Sequence, residues 1–161
     1  MSLMNISLSH KPEIFDFSRK DLSKFEDGLE LFDWWHKARE SNPYPSRDQF
    51  SPFKFAACLP NIYILDVAPD IMDFTVRLVG TKVSENYGSD ATGLNLKVIP
   101  NQEKVIERLS SIVKSGAPAV IFDHPLYWSE LNYKKFDILH LPLGDSQEKP
   151  TMIMSVLQFK Y

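Results

Sequence analysis

The sequence predicts an α+β domain: a five-stranded antiparallel sheet with a helical crossover between its second and third strands, preceded by N-terminal amphipathic helices. Three observations carry that expectation. Runs rich in β-branched and aromatic residues occur as a pair and then as a group of three. Helical periodicity appears before the first strand and again between the two groups. Within each group the connections are short and turn-like, which forces antiparallel pairing and gathers the helices on the faces of one sheet.

Residues 1–20 read as an arm that orders only by docking elsewhere. Residues 21–161 read as one domain, with a helical extension over 21–58 and a sheet-and-crossover core over 59–161. In DLSKFEDGLELFDWWHKARES, the residues Leu22, Phe25, Leu29, Phe32 and His36 recur at spacings of three and four, an amphipathic helix crowded with aromatics. Pro43 and Pro45 end it. A short helix is predicted over Pro52–Cys58, with Ser51 as N-cap and Pro52 in the first position. NIYILDVA and DFTVRLVG, separated by PDIM, predict a hairpin. TKVSENYG predicts a short helix capped by Thr81 and ended by Gly88. Past the connector SDATGLNLKVIP, Asn101 caps a longer helix to Ser115, whose apolar face is Val105, Ile106, Leu109, Ile112 and Val113. APAVIFDHPLYW, YKKFDILHLPL and TMIMSVLQFKY, joined through SELN and GDSQEKP, predict a meander. The crossover is expected to return the third strand beside an earlier one.

A chain of 161 residues is long enough for one self-sufficient core. Apolar residues at 43% and charged residues at 24% exclude fibrous and disulfide-scaffold classes. A net charge of -3, with no basic patch, argues against nucleic acid as a partner. The single cysteine, Cys58, excludes an internal disulfide and reads as a small buried hydrophobe in a reducing compartment. No secretory leader and no apolar run near the ~20 residues of a membrane span are visible, so a cytoplasmic protein without a membrane partner is expected. Gly-x-Ser-x-Gly, His-Glu-x-x-His, a Walker loop and paired cysteines are all missing, which leaves no catalytic or metal site to assign. In RLVGTKVSENYGSDATG the glycines are too dispersed for a dinucleotide fingerprint and read instead as helix punctuation.

The stretches YPSRDQFSP, LPNIYILDV and FTVRLVGTKVSENYGSDATG resemble, in order and spacing, the pattern of a bacterial PAS-like family, PAS_5. Its Pro-x-Arg falls on Pro45 and Arg47, its helix-opening proline on Pro52, and its Leu-Pro on Leu59 and Pro60. Its Arg-x-x-Gly-Thr falls on Arg77, Gly80 and Thr81, and the later glycines on Gly88 and Gly93. The resemblance covers roughly residues 30–160 and is strongest over 44–93. It implies a short, stand-alone sensory or regulatory module without catalysis of its own, and it assigns no ligand.

A small ligand is expected in the hollow between the sheet and the crossover helices. Candidates to line it are Tyr87, Phe122, His124, Phe136, Ile138 and His140, with His140 on the face of Phe136 and Ile138, and His124 on that of Phe122 and Leu126. The cofactor stays unknown. Haem is disfavoured because the usual axial helix histidine of haem-binding PAS domains is missing, and flavin because Cys58 precedes the first strand and lacks the Asn-Cys-Arg-Phe-Leu setting. Arg77, opposite the apolar face of its strand, is expected to anchor the N-terminal helices by an ion pair or hydrogen bond. Arg47 is expected to clamp a carboxylate or the carbonyls of a helix end. The aromatic helix, through Phe25, Leu29, Phe32 and Trp35, is a candidate homodimer seam, the alternative being that it caps the chain's own core. The partner is a small molecule or a signalling protein. Two rivals stand beside the regulatory module: a small pocket enzyme of isomerase or dehydratase type, drawing on Asp123, Asp137, His124 and His140, and an interaction domain whose pocket its own side chains fill.

Overall fold

A computed structural model describes residues 16–126, 134–145 and 149–160. Residues 1–15 of the predicted arm, the SELN turn and the middle of the GDSQEKP connection lie outside the described residues. The helices are α1 (Glu26–Ala38), α2 (Thr81–Tyr87) and α3 (Glu103–Ser115), and the strands are β1 (Ile62–Ala68), β2 (Asp73–Val79), β3 (Ala119–Pro125), β4 (Lys135–Leu143) and β5 (Met152–Lys160). All neighbouring strands pair antiparallel in one five-stranded sheet of order β2-β1-β5-β4-β3. No helix among the described residues is long and apolar enough to cross a membrane.

The hairpin and the meander form as expected, but the crossover does not bring β3 beside an earlier strand. It carries the chain across the whole sheet to the far edge, and β5 returns to pair with β1. The central strand β5 and its two neighbours, β1 and β4, thereby bury most of their residues.

Several local expectations are corrected. The first helix opens as a separate 3-10 turn, Arg19–Leu22, and α1 begins only at Glu26. Its buried face is Gly28, Leu31, Phe32 and Trp35, while Leu29 is half-buried and His36 exposed, so the inward stripe sits one position round from the predicted one. Gly28 is part of the reason: a Cβ there would meet the Phe25 ring at 2.9 Å, and its absence lets that ring fold onto the helix. Pro52–Cys58 is no helix but a succession of i to i−3 turns, with Phe55 N bonded to Pro52 O and Cys58 N to Phe55 O. Gly80, not Thr81, is the N-cap of α2, and Gly88 ends that helix at φ 100° as predicted. Asn101 does not cap α3: it takes a left-handed φ of 63°, and Gln102 is the N-cap.

The sheet is covered on both faces. On the outer face Ile62, Ile64, Val120, Leu139, Leu141 and Val156 pack under α1, and Trp35 Nε1 donates to Pro142 O across 2.8 Å of buried interior. On the crossover face Leu65, Val67, Phe74 and Ile153 meet Leu109, Ile112 and Val113 of α3. A smaller apolar group, Ile121, Leu126, Phe136, Ile138 and Leu157, continues that face toward the β3 edge.

Candidate functional site: a buried polar cluster beneath the crossover helix

Among the described residues, the buried polar side chains of the crossover layer, Arg108, His140 and Ser155, gather in one place. Antiparallel register sets Ser155 of β5 opposite both Tyr63 of β1 and His140 of β4. Ser155 and His140 are both wholly buried, and His140 Nδ1 lies 2.7 Å from Ser155 Oγ. Ser155 also hydrogen-bonds the Tyr63 phenol. Above them Arg108 is buried on the inward face of α3, three residues after Val105 and four before Ile112.

His124 reaches the same cluster through a bulge. The β3–β4 register shifts between Ile121 and His124, and Asp123 takes a left-handed φ of 55°. The extra residue puts Phe122 and Asp123 both toward the outer face and restores His124 to the crossover face. Its Nδ1 lies 2.9 Å from Pro125 O, which only accepts, so Nδ1 carries the proton and Nε2 accepts from Arg108 Nη2 at 3.4 Å. The imidazole lies tilted against the Phe136 ring, with 4.8 Å between centroids.

Burial holds His140 well below the ordinary histidine pKa, and the charge of Arg108 and the nearby His124 push it further down. Burial also raises the Tyr63 phenol, partly offset by Ser155 and Arg108. At neutral pH the ladder from Tyr63 through Ser155 to His140 is therefore uncharged. It ends at His140 Nε2, a buried atom with no hydrogen-bond partner.

Of the ligand-pocket candidates, His124, Phe136, Ile138 and His140 do share the crossover face. Phe122 does not: the bulge turns it into the outer core with α1. Tyr87 packs at the rim of the apolar cluster under α3. Tyr63, Ser155 and Arg108 are members that sequence reasoning missed. Two signals were present: an arginine within the apolar stripe of α3, and a serine within the apolar run Met152–Leu157. Asp137, 2% exposed, lies on the other side of the sheet from the histidines. It accepts from Asp123 N at 2.9 Å, from Gln158 Nε2 at 3.1 Å and from Lys160 Nζ at 2.9 Å. The sheet thus separates the aspartates from the histidines that an isomerase-like or dehydratase-like site would pair with them.

The motif residues serve the frame. Arg77 pairs with Asp66 at 3.1 Å across the exposed β1–β2 hairpin and does not anchor the N-terminal helices. Arg47 lies over the Phe50 ring at 5.5 Å, and the helix-end clamp expected of it is made by Gln49, whose Nε2 donates to Ala38 O at 2.7 Å. Gly80 is required by a close approach, because a Cβ there would stand 2.3 Å from Leu59 O and 2.4 Å from Pro60 O. Pro60 lies in the 3-10 turn Leu59–Asn61 that makes this approach, and Gly93 turns at φ 91° to donate to Val76 O. The seam candidates Phe25, Phe32 and Trp35 are 1%, 8% and 4% exposed, taken up by the chain's own core, with Leu29 packed partly against it.

Two surface clefts lie elsewhere. One, of about 300 Å³, runs between α1 and the start of β3 beside Phe32, Trp35, Arg39 and Pro118. The other, of about 170 Å³, lies near Asp27, Lys82 and Phe159. Among the described residues one group, Asp27, Glu30 and Cys58, brings metal-ligand atoms within 4.8 Å of one another. Burial and the two carboxylates push the Cys58 thiol up to about 12, so in the absence of a bound cation it is a neutral thiol.

Among solved structures, the PAS domain of the histidine kinase ThkA is similar at 16% identity, over 59% of this chain and 98% of that one, with a TM-score of 0.43. No curated protein sequence matches. The PAS domain model PAS_5 matches residues 24–158, which takes in α1, the whole crossover and nearly all of the sheet. The chain belongs to the PAS_5 family of PAS domains.

Proposed function

We propose that this protein is a non-catalytic regulatory module in which a small molecule, held between the sheet and α3, biases the association of the domain with another chain. One observation carries the reading: the polar cluster of Tyr63, Arg108, His140 and Ser155 is built into a layer boundary that is otherwise apolar. Polar groups cost free energy to bury, and apolar residues of similar volume would pack such a boundary at less cost. Ligand recognition is the use that such a cluster serves. The separation of Asp123 and Asp137 from the two histidines supports a binding role over isomerase or dehydratase chemistry.

The mechanism is a population shift: a ligand that prefers one placement of α3 over the sheet favours one arrangement of the layer beyond it. His124 and Asp123 are consecutive residues on opposite faces, so a displacement of the bulge is felt on both. On the outer side Gln158 bonds both Asp137 Oδ2 and Lys24 O, at 3.1 Å each, which ties the bulge to the N-terminal extension. The output is taken up by a second copy of the chain or by a signalling protein. Native mass spectrometry of the purified protein reads ligand and subunit number together. The expected result is a mass excess of one small molecule that disappears on denaturation, and a bare protein mass in every preparation, with no added small molecule binding at the cluster, would overturn the reading.

A further inference from the structure

We propose that His140 Nε2, with Arg108 above it and His124 beside it, recognises one chemical class of ligand, a small organic carboxylate. This rests on the regulatory-ligand reading given above and narrows it.

The first support is the orphaned atom itself. His140 is 0% exposed, its Nδ1 is engaged by Ser155, and its Nε2 has no hydrogen-bond partner. A buried donor or acceptor left unmade costs the full desolvation of that group. The second is the ladder behind it. Tyr63 and Ser155 both carry hydroxyls that donate or accept, so the ladder can run in one direction: Tyr63 O–H to Ser155, Ser155 O–H to His140 Nδ1, and His140 Nε2–H outward. In that state the histidine offers a neutral donor, and an acceptor placed against Nε2 fixes the tautomer. The third is charge. Arg108, buried on α3, acts electrostatically on both Tyr63 and His140, and the guanidinium fork suits the two oxygens of a carboxylate. A cationic ligand meets the wrong sign here. His124, partly exposed at the β3 edge and bonded to Arg108, stands between the cluster and solvent.

The test is side-chain nitrogen NMR of the full chain, titrated with sodium acetate at constant ionic strength, with sodium chloride and inorganic phosphate as parallel titrants. Acetate is expected to shift the His140 Nε2 resonance saturably and to fix the Nε2–H tautomer, while chloride does not. His140→Asn keeps an amide facing Ser155 and removes Nε2, and it should weaken acetate binding at least about ten-fold. Arg108→Lys, which keeps the charge and loses the fork, should weaken it by a similar factor and guards against a folding defect in the first variant. Equal responses to acetate, phosphate and chloride overturn the proposal. So does a Soret band on adding haemin that is lost in His140→Asn, since the atom would then be a haem ligand. If a neutral or cationic molecule co-purifies while acetate leaves His140 unmoved, the carboxylate assignment fails and the regulatory reading stands. If nothing co-purifies and no titrant moves His140, both fail.

Discussion

At the scale of single residues, the most constrained position is Gly80. Its φ of -68° is open to any residue, so what fixes glycine is the backbone of Leu59 and Pro60 pressed against it. Gly80→Ala is expected to cost about 2–3 kcal/mol in urea denaturation, since a backbone neighbour cannot rotate away as a side chain does. The motif marked Gly80 as special, but contact with a turn twenty residues upstream left no local trace in sequence. His140 makes a prediction of a different kind. Its folded pKa is depressed, so the unfolded chain binds the proton more tightly, and acid favours unfolding. The stability it contributes is complete above the ordinary histidine pKa and is lost as pH falls through that value toward the folded one. Urea midpoints should therefore decline from about pH 7.5 to about pH 5.5, by at most ~1.4 kcal/mol per pH unit from this group, and His140→Asn should flatten the decline. Cys58, a buried thiol with its pKa pushed up to about 12, should resist alkylation at neutral pH in the native protein and react only as urea unfolds it.

At the scale of elements, the join between α1 and the sheet depends on a side chain that the sequence did not advertise. Ser46 and Gln49 form a capping box, with Ser46 N bonded to Gln49 Oε1 at 2.9 Å, and the same glutamine amide reaches back to Ala38 O at the end of α1. Gln49→Ala should lose about 1–2 kcal/mol through the cap and the bond to the helix end. Arg47→Ala, which removes a ring contact at an exposed edge, should lose less, and comparing the two melting curves checks the assignment. Strands and helices were legible because alternation and helical period are local properties of the chain. Most helix starts were not. Gly80 and Gln102 cap α2 and α3 without any side-chain hydrogen bond, so Thr81 and Asn101, the better caps by chemistry, misled. The same limit applies to Phe122 and His124, which strict alternation places on one face and the bulge separates.

For the molecule as a whole, the sheet has apolar residues on both faces and needs both helical layers. A chain beginning at residue 41, without α1, would expose Ile62, Ile64, Leu139 and Leu141, four side chains now at most 2% exposed. Such a chain is expected to aggregate or to bind a hydrophobic dye at pH 7, and a soluble, cooperatively folding product would contradict the two-layer account. The class of fold was readable from the order of elements, but the strand order was not, because nothing local says whether a crossover stops beside β1 or travels to the far edge. The polar cluster was hidden for that reason: its members come from β1, α3, β3, β4 and β5 and meet only once the strand order is known. The extra residue in β3 sets a condition on any attempt to transplant or compare this site. Between Ile121 and Pro125 the count of residues matters more than their identity. A relative shorter by one there would present a histidine at the aligned column to the opposite side of the sheet, with its chemistry intact and its address changed.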